Sequence, residues 1–340
     1  MSSLPKTFRA AVFTEPNKPL ELQDLPLQQP GPGQVLVKVL ACGVCHSDVV
    51  AQAGVMSSPY PIVPGHEIVG EVAALGEGVT RFKEGDRVGG GWHGGHDGVC
   101  KCCQRSQFQI CENGAINGIT QNGGYAEYVL LRVEAVARIP ADLDPAEVAP
   151  LLCAGVTVFN GIRKMHVEQG GLVAIQGLGG LGHLAVQYSK AMGYRTVAIS
   201  RGTDKRDFAF QLGAHEYIDT NTEDPVEKLA ALGGASLIVS TAPSGPAFSK
   251  LTGGLEAGGK LLVLAPMGPV EFDTLAMVLK GLSVHGWPSG HALDSEEAIA
   301  FAKTFDIKCL IEKFPLADAP KAFDSMMEGK PRFRNVLVMQ

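Results

Sequence analysis

Short apolar runs separated by glycine and proline occupy the chain up to about residue 155. Segments 8–13, 35–40, 68–75 and 87–88 are rich in valine and other strand-forming residues. Turn clusters such as Pro30-Gly31-Pro32-Gly33 and Gly76-Glu77-Gly78 lie between these segments. Short strands joined by glycine turns predict an irregular β-barrel-like domain.

Beyond about residue 155 the pattern alternates between strands and helices. The helix predicted at 184–192 places Leu184, Tyr188 and Met192 on one face and ends at Gly193. Such alternation predicts a parallel sheet with right-handed crossovers. A second helix is expected at 205–212, and strands are expected at 172–176, 196–200, 237–241 and 260–265.

After about residue 290 we expect the chain to return to the first domain. Its last strand, at 335–339, would then complete the early β unit. The predicted domains are therefore 1–154 together with 290–340, and 155–289, which suits the length of 340 residues.

Composition and charge narrow the possible partners. The net charge of −6 and the pI near 5.9 argue against nucleic acid. No apolar run reaches the length of about 18 residues that suggests a membrane span. Residues 1–12 have no apolar signal core, and six of the eight cysteines fall in two short clusters. We therefore expect a cytoplasmic protein whose cysteines bind metal rather than form disulfides.

Cys45, His66 and Cys153 form a soft sulfur and nitrogen set, and Glu67 adjoins it. Three such ligands leave one tetrahedral position on zinc free, which is typical of catalytic zinc sites. Two other interpretations stay open at this point. Cys42 and Cys45 have the spacing of a thioredoxin-like motif, and the set could instead have a packing role without metal.

A glycine-rich turn indicates a dinucleotide site. It runs Gly177-Leu178-Gly179-Gly180-Leu181-Gly182, between a predicted strand and a predicted helix, which is the context that the motif requires. Gly177 would make the turn, Gly179 would let the backbone approach the pyrophosphate, and Gly182 would permit close helix packing. The phosphates would lie at the helix N-terminus.

The residues at the end of the second predicted strand suggest which nucleotide binds. NAD sites have an acid about 20 residues beyond the turn, but here that place is held by Ser200. Arg201, Lys205 and Arg206 follow, and cations with a hydroxyl attract a 2′-phosphate. We predict a preference for NADP(H). The alternative is NAD(H), with Lys205 bonding ribose oxygens.

Together these motifs resemble the zinc-dependent alcohol dehydrogenases of the medium-chain dehydrogenase/reductase superfamily, particularly the microbial and fungal ethanol-type branch. The resemblance covers nearly the whole chain and implies a GroES-like catalytic domain with a Rossmann cofactor domain. It rests on Cys-Gly-Val-Cys-His-Ser-Asp at 42–48, Pro-Gly-His-Glu at 64–67, Gly-Asp-Arg-Val at 85–88, Leu-Leu-Cys-Ala-Gly-Val-Thr at 151–157 and the glycine turn.

The resemblance assigns roles around the metal. It implies that Cys45, His66 and Cys153 ligate a catalytic zinc and that Glu67 enters the coordination sphere transiently. The flanking residues have implied roles as well: Asp48 orients the ligating His66, Ser47 accepts the alcohol proton, and His46 lies near the cofactor pyrophosphate. Many relatives end the proton relay at a histidine where this chain has Val50, so the end of the relay stays open.

The resemblance also implies a structural zinc in a lobe that has four cysteines in the family. Here Asp97, Cys100, Cys103 and Cys111 have the matching spacings of three, three and eight. A carboxylate is an acceptable zinc ligand, with His96 as the rival fourth ligand. Cys102 would be an extra thiol, and a metal-free lobe is the alternative.

Further residues follow from the resemblance on weaker grounds. Thr157 matches a residue beside the nicotinamide, and Arg334 matches one that contacts the pyrophosphate. Trp92 matches an aromatic residue that narrows the alcohol pocket, to which Tyr60 and Trp287 are added. The expected protein is a homo-oligomer, tetrameric or else dimeric, with two zinc ions per chain. It would interconvert alcohols with aldehydes or ketones, and the alternative is a non-catalytic dinucleotide-binding protein.

Overall fold

The computed structural model describes residues 4–242 and 245–339. The chain forms two compact units: unit 1 consists of Met1–Val156, Ser289–Phe301 and Lys308–Gln340, and unit 2 consists of Thr157–Pro288 and Ala302–Ile307. No single helix among the described residues has the length and apolarity to cross a membrane. One bent pair, Pro145–Leu152 with Ala154–Arg163, passes that test by length and composition alone.

Seventeen strands and eleven α-helices are distributed over the two units. The strands are β1 (Thr7–Val12), β2 (Glu21–Pro26), β3 (Gln34–Val44), β4 (Ile68–Leu75), β5 (Arg87–Gly90), β6 (His93–Gly95), β7 (Ala115–Ile116), β8 (Tyr128–Arg132), β9 (Val136–Arg138), β10 (Leu172–Gln176), β11 (Arg195–Ser200), β12 (Glu216–Asp219), β13 (Ala235–Ser240), β14 (Leu255–Val263), β15 (Ser283–Gly286), β16 (Ile311–Pro315) and β17 (Arg334–Val338). The helices are α1 (Val49–Ala53), α2 (Lys101–Gln104), α3 (Pro145–Val148), α4 (Ala154–Arg163), α5 (Gly182–Ala191), α6 (Arg206–Gln211), α7 (Pro225–Ala231), α8 (Gly245–Lys250), α9 (Thr274–Lys280), α10 (Ala292–Thr304) and α11 (Ala319–Met327). These counts cover the described part of the chain.

Unit 1 is built on a seven-stranded sheet in the order β16-β17-β3-β4-β5-β9, with β8 paired to β3 as well. The last strand, β17, runs antiparallel to β3 and pairs Val336 with Gly43. This pairing confirms that the end of the chain completes the early β unit. Phe13, Ile68 and Leu131 are fully buried in its apolar core.

Unit 2 is built on a parallel sheet in the order β12-β11-β10-β13-β14-β15. From β10, the strands β11 and β12 follow toward one edge of the sheet, whereas β13, β14 and β15 follow toward the other edge. Ligands bind where the strand order reverses, outside the carboxyl ends of the strands. The glycine turn directly follows β10, so it lies at this reversal. The predicted parallel sheet is confirmed, and all five residues of β10 are buried, as expected of a central parallel strand.

The differences between prediction and structure have physical reasons. β2 is absent from the prediction because its sequence, ELQDLP, is mostly polar; it is a partly exposed strand held by pairing to β1. β3 continues past residue 40 because Ala41 to Val44 pair with β17, a partner nearly 300 residues away. β14 begins at Leu255 rather than Lys260 because Leu255 pairs with Ala235 across an irregularity.

Candidate metal and cofactor sites

Three separate stretches bring the first metal set together, which we define as Cys45, His66, Glu67 and Cys153. Cys45 directly follows β3, His66 and Glu67 directly precede β4, and Cys153 lies between the 3-10 turn Ala149–Leu152 and α4. Their ligand atoms all lie within 4.8 Å of one another. The sulfur atoms of Cys45 and Cys153 are 3.8 Å apart, far beyond the 2.05 Å of a disulfide.

Asp48 contacts two residues of this set, Cys45 and His66. Its Oδ2 accepts the Cys45 backbone N–H at 2.8 Å, and its Oδ1 lies 3.1 Å from Nδ1 of His66. Burial lowers the pKa of His66, but the charge and hydrogen bond of Asp48 outweigh burial and raise it well above its usual range. Because Nδ1 faces the Asp48 carboxylate, Nε2 is the ring nitrogen available to a metal.

The donors of the first metal set fit a tetrahedral zinc. The Nε2 atom of His66 is buried and has no hydrogen-bond partner among the described residues. The hydrogen bond with Cys153 lowers the pKa of Cys45 well below its usual range, which favours the thiolate that a metal binds. A buried imidazole nitrogen beside two free thiols is a donor set of the kind that zinc takes.

Glu67 is fully buried, and Arg334 reaches it from β17. Burial raises the pKa of Glu67 to about 8, against the lowering effect of the Arg334 charge. Nη2 of Arg334 lies 3.4 Å from Oε1 of Glu67, and Nη1 donates to the carbonyl oxygen of Val44 at 3.3 Å. Arg334 is thus part of the surroundings of the first metal set, and its contact with pyrophosphate stays a prediction.

The other residues assigned to the alcohol pocket have mixed surroundings. The ring edge of Trp92 contacts the His66 ring, with centroids 4.9 Å apart at 89°. The Tyr60 hydroxyl is taken up by backbone, since it donates to the carbonyl oxygens of Ala51 and Gln52. Trp287 belongs to unit 2, where its backbone N–H donates to the carbonyl oxygen of Val263.

The 3-10 turn His46–Asp48 presents the residues that the resemblance places nearest the substrate and cofactor. His46 is exposed and Ser47 is half-buried. Val50, in α1, is also half-buried and packs against the apolar core. Its side chain has no proton to give or take, so it cannot replace the relay histidine.

The second metal set, which we define as Asp97, Cys100, Cys103 and Cys111, also has its ligand atoms within 4.8 Å of one another. Oδ1 of Asp97 accepts the backbone N–H groups of Val99 at 2.8 Å and Cys100 at 3.0 Å. Oδ2 accepts the Asn113 amide at 2.6 Å. These hydrogen bonds, the Cys100 N–H first, lower the pKa of Asp97 well below its usual range, so it is a carboxylate.

His96 turns away from that set. Its ring stacks on Phe108, with centroids 4.2 Å apart at 26°, and its Nδ1 lies 3.1 Å from Nε2 of His93. The geometry therefore favours Asp97 over His96 as the fourth ligand. Cys102 is free and lies outside the set, as the spacing predicted.

The glycine turn in unit 2 depends on its missing side chains. Gly177 has φ of +97°, a conformation that favours glycine, and its carbonyl oxygen accepts the Thr241 hydroxyl at 3.0 Å. A Cβ on Gly182 would lie 1.9 Å from that same carbonyl oxygen. Gly179 is exposed with open space around it. Gly180 and Leu181 then lead into α5, which begins at Gly182.

The loop after β11 carries the residues predicted to select the nucleotide. Ser200 ends the strand, and Arg201 is exposed. Lys205 crosses to the glycine turn, where its Nζ donates to the carbonyl oxygen of Leu178 at 3.0 Å. Asp219 fixes the loop by accepting the Gly202 N–H at 2.7 Å. Thr157 is buried in α4.

Three supporting residues escaped the sequence reasoning. Tyr125 donates to Asp48, Asn113 donates to Asp97, and Thr241 donates to the carbonyl oxygens of Gln176 and Gly177. Tyr125 is separated from its partner by 77 residues and belongs to none of the motifs used. Only the tertiary structure reveals these contacts.

Comparison with known proteins identifies both units. Residues 31–141 match the family of the alcohol dehydrogenase GroES-like domain, and residues 180–304 match that of the zinc-binding dehydrogenase. The chain is 56% identical to alcohol dehydrogenase patD of Penicillium expansum over 338 residues, 99% of each chain.

Solved structures of other proteins match this chain over nearly its whole length. An acetophenone reductase from Geotrichum candidum, in complex with NAD, is 28% identical with a TM-score of 0.87, covering 99% of this chain and 98% of that one. The CAD protein from Helicobacter pylori, complexed with NADP(H), is 26% identical with a TM-score of 0.85, covering 98% of each. The predicted pairing of a GroES-like unit with a Rossmann unit is confirmed. The chain belongs to the zinc-dependent alcohol dehydrogenases of the medium-chain dehydrogenase/reductase superfamily.

Proposed function

We propose that this oxidoreductase interconverts an alcohol and its aldehyde or ketone with NADP(H) in preference to NAD(H), at a zinc ion held by the first metal set. Membership of the alcohol dehydrogenase family supports this class of reaction. The observation that carries the site is the convergence of two thiols, an imidazole and a carboxylate in one buried cluster. With Cys45, His66 and Cys153 as the three ligands and Glu67 beside them, one tetrahedral position stays open, as catalytic zinc requires.

The residues divide the work of the reaction. When bound, zinc supplies a Lewis acid that lowers the pKa of the alcohol hydroxyl. Cys45, His66 and Cys153 hold the ion, and Asp48 keeps the imidazole in one tautomer and orientation. Ser47, half-buried in the turn before α1, would accept the alcohol proton. The hydride chemistry belongs to the nicotinamide, and the protein contributes alignment.

The nucleotide preference is argued from charge at the end of β11. Ser200 stands where an NAD site has an acid, so no carboxylate there repels a 2′-phosphate. Arg201 and Lys205 bring two cations within the following five residues, and Lys205 already lies against the turn. A guanidinium binds phosphate through two parallel hydrogen bonds. NAD(H) is the second candidate, since Lys205 could serve ribose oxygens equally well.

Replacing Arg201 by alanine tests this preference. We expect wild type to show the higher kcat/KM with NADP(H). In the variant, kcat/KM for NADP(H) should fall by about 10- to 100-fold, the worth of one charged hydrogen-bonding pair of about 1.5–3 kcal/mol. The value for NAD(H) should stay within about twofold. The measurement is initial-rate kinetics with both cofactors at one salt concentration.

Arg195→Ala is the matched control for that experiment. Arg195 begins β11 and Ser200 ends it, so the control removes the same charge from the opposite end of the strand. Its kcat/KM values should match wild type for both cofactors. A wild-type enzyme that works better with NAD(H), or an Arg201→Ala variant with an unchanged preference, would contradict the proposal.

We also propose that the second metal set holds a structural zinc through Asp97, Cys100, Cys103 and Cys111. Metal analysis of the purified wild type should give two zinc ions per chain. Asp97→Ala should give one zinc and a lower thermal midpoint, because three thiolates no longer complete the tetrahedron. His96→Ala should retain both ions. Two zinc ions in Asp97→Ala, or the loss of one in His96→Ala, would exclude the proposed fourth ligand.

The assembly is proposed to be a homo-oligomer, a tetramer or else a dimer. An exposed apolar surface on α9 supports an oligomer, since Leu275, Val278 and Leu279 are each at least 66% exposed. Of the described strands, β15 forms one edge of the parallel sheet and pairs only with β14. The cytoplasmic location and the domain limits of 1–154 with 290–340 and of 155–289 stay predictions.

A further inference from the structure

Tyr125 is a buried tyrosine whose hydroxyl group is hydrogen-bonded to Asp48, the acid beside the first metal set. Its side chain is fully buried, and its hydroxyl donates to Oδ2 of Asp48 at 2.8 Å. Oδ2 also accepts the Cys45 N–H, and Oδ1 faces Nδ1 of His66. Oδ2 therefore accepts two hydrogen bonds, one from the metal-set residue Cys45 and one from Tyr125, while Oδ1 contacts the His66 ring nitrogen.

The ring of Tyr125 contacts the same stretch of chain a second time. A Cβ built on Gly65, which has φ of +99°, would lie 2.4 Å from Cδ1 of Tyr125. The backbone N–H of Tyr125 donates to the carbonyl oxygen of Pro64 at 3.0 Å. The residue before His66 is thus packed against the ring, while His66 itself is reached through Asp48. Both contacts fix the position of the same imidazole.

The burial of Asp48 makes each of its two hydrogen bonds important. Asp48 has no exposed surface, and a buried carboxylate is stable only when hydrogen-bonded groups compensate its charge. Without the tyrosine hydroxyl, Oδ2 would keep one donor, and the carboxylate could rotate away from His66. Burial, with the charge of Asp48, raises the pKa of Tyr125 well above its usual range, so its hydroxyl stays a neutral donor.

We propose that Tyr125 is a positioning residue for the catalytic metal, which acts by holding Asp48 and through it the His66 imidazole. The inference rests on the proposed zinc site and adds a residue that no motif indicates. Outer partners of a metal ligand commonly contribute 10- to 100-fold to metal affinity. Tyr125 stands one step further out, so the lower end of that range, about tenfold, is expected.

The test is the variant Tyr125→Phe, which keeps the ring and removes only the hydroxyl. Its affinity for zinc is measured by competition with a chelator, and the binding step that Cys153→Ser abolishes is assigned to the first metal set. We expect about tenfold weaker binding at this step and no change at the second metal set. Tyr128→Phe is the control: it makes the same change three residues away, where the ring packs against Phe8, and should match wild type.

A second background separates positioning from general structure. If Tyr125 acts through Asp48, then Tyr125→Phe should change zinc affinity by less than about twofold in a chain that already carries Asp48→Asn. An equal loss in both backgrounds, an unchanged affinity in Tyr125→Phe, or a variant that fails to fold with zinc supplied would each overturn the proposal. If Cys153→Ser removes no binding step from the otherwise wild-type chain, the proposed zinc site itself fails, and this outcome is distinct from the others.

Discussion

Replacing Cys153 by serine is expected to lower kcat/KM for alcohol oxidation by at least about 10³-fold. A hydroxyl is a far weaker zinc ligand than a thiolate, and Cys153 supplies one of the two sulfur atoms of the first metal set, 3.8 Å from that of Cys45. Polarisation of the substrate oxygen by zinc is worth several kcal/mol, and about 4 kcal/mol corresponds to 10³ in rate. Reduced nicotinamide absorbance and zinc content per chain are measured on the same samples.

The matched control is Cys102→Ser, since Cys102 is a free cysteine outside both metal sets. It should retain two zinc ions and activity within about twofold of wild type. Cys153→Ser should retain one zinc ion, at the second metal set, together with its fold. Full activity of Cys153→Ser with one zinc ion per chain would exclude the first metal set as the centre of the reaction.

The sequence was most informative where the chemistry of a side chain limits its uses. Cysteine and histidine of the first metal set come from three distant stretches, yet each stretch carries a motif, so their meeting within 4.8 Å was predictable. The glycine turn was predictable for a similar reason, because this glycine spacing between a strand and a helix is typical of turns that bind phosphate at the helix N-terminus. The alternation of predicted strands with predicted helices indicated a parallel sheet, which the structure confirms.

Other features could not be read from the sequence because they depend on partners far along the chain. The spacing alone left His96 and Asp97 as rivals, and the choice follows from the Phe108 ring that stacks on His96. Arg334 carries no local sign that it pairs with Glu67; the pairing of β17 with β3 creates that contact. The hydrogen bond from the Tyr125 hydroxyl to Asp48 could not be predicted from the sequence for the same reason.

Both metal sets are supported in one physical manner. In each case an acid accepts hydrogen bonds from one residue of the set and from one residue outside it: Asp48 from Cys45 and Tyr125, and Asp97 from Cys100 and Asn113. Such donors limit the rotation of the carboxylates. Asp48 lies beside the first metal set and is proposed to orient its His66, whereas Asp97 is proposed to be a ligand in the second set. The same local chemistry therefore serves two different roles.

Replacing Gly182 by alanine is expected to weaken NADP(H) binding by at least about 100-fold and to lower the free energy of unfolding by about 3 kcal/mol. The added methyl carbon would lie 1.9 Å from the carbonyl oxygen of Gly177 and 2.9 Å from the Thr241 hydroxyl oxygen. The closest atom is backbone, so α5 must shift away from the glycine turn, which is the cost of overpacking a filled site. Dinucleotide affinity is measured by fluorescence titration, and stability by denaturant unfolding.

Gly179→Ala separates cofactor approach from folding. Gly179 is exposed and has no heavy atom within 4 Å of the Cβ position, so this variant should unfold at the same denaturant concentration as wild type. Its methyl group would still stand between the backbone and the pyrophosphate, and we expect about tenfold weaker NADP(H) binding. If Gly179→Ala binds the dinucleotide as wild type does, the turn does not approach the cofactor here. If Gly182→Ala folds and binds normally, the close contact between Gly182 and Gly177 is not needed for cofactor binding.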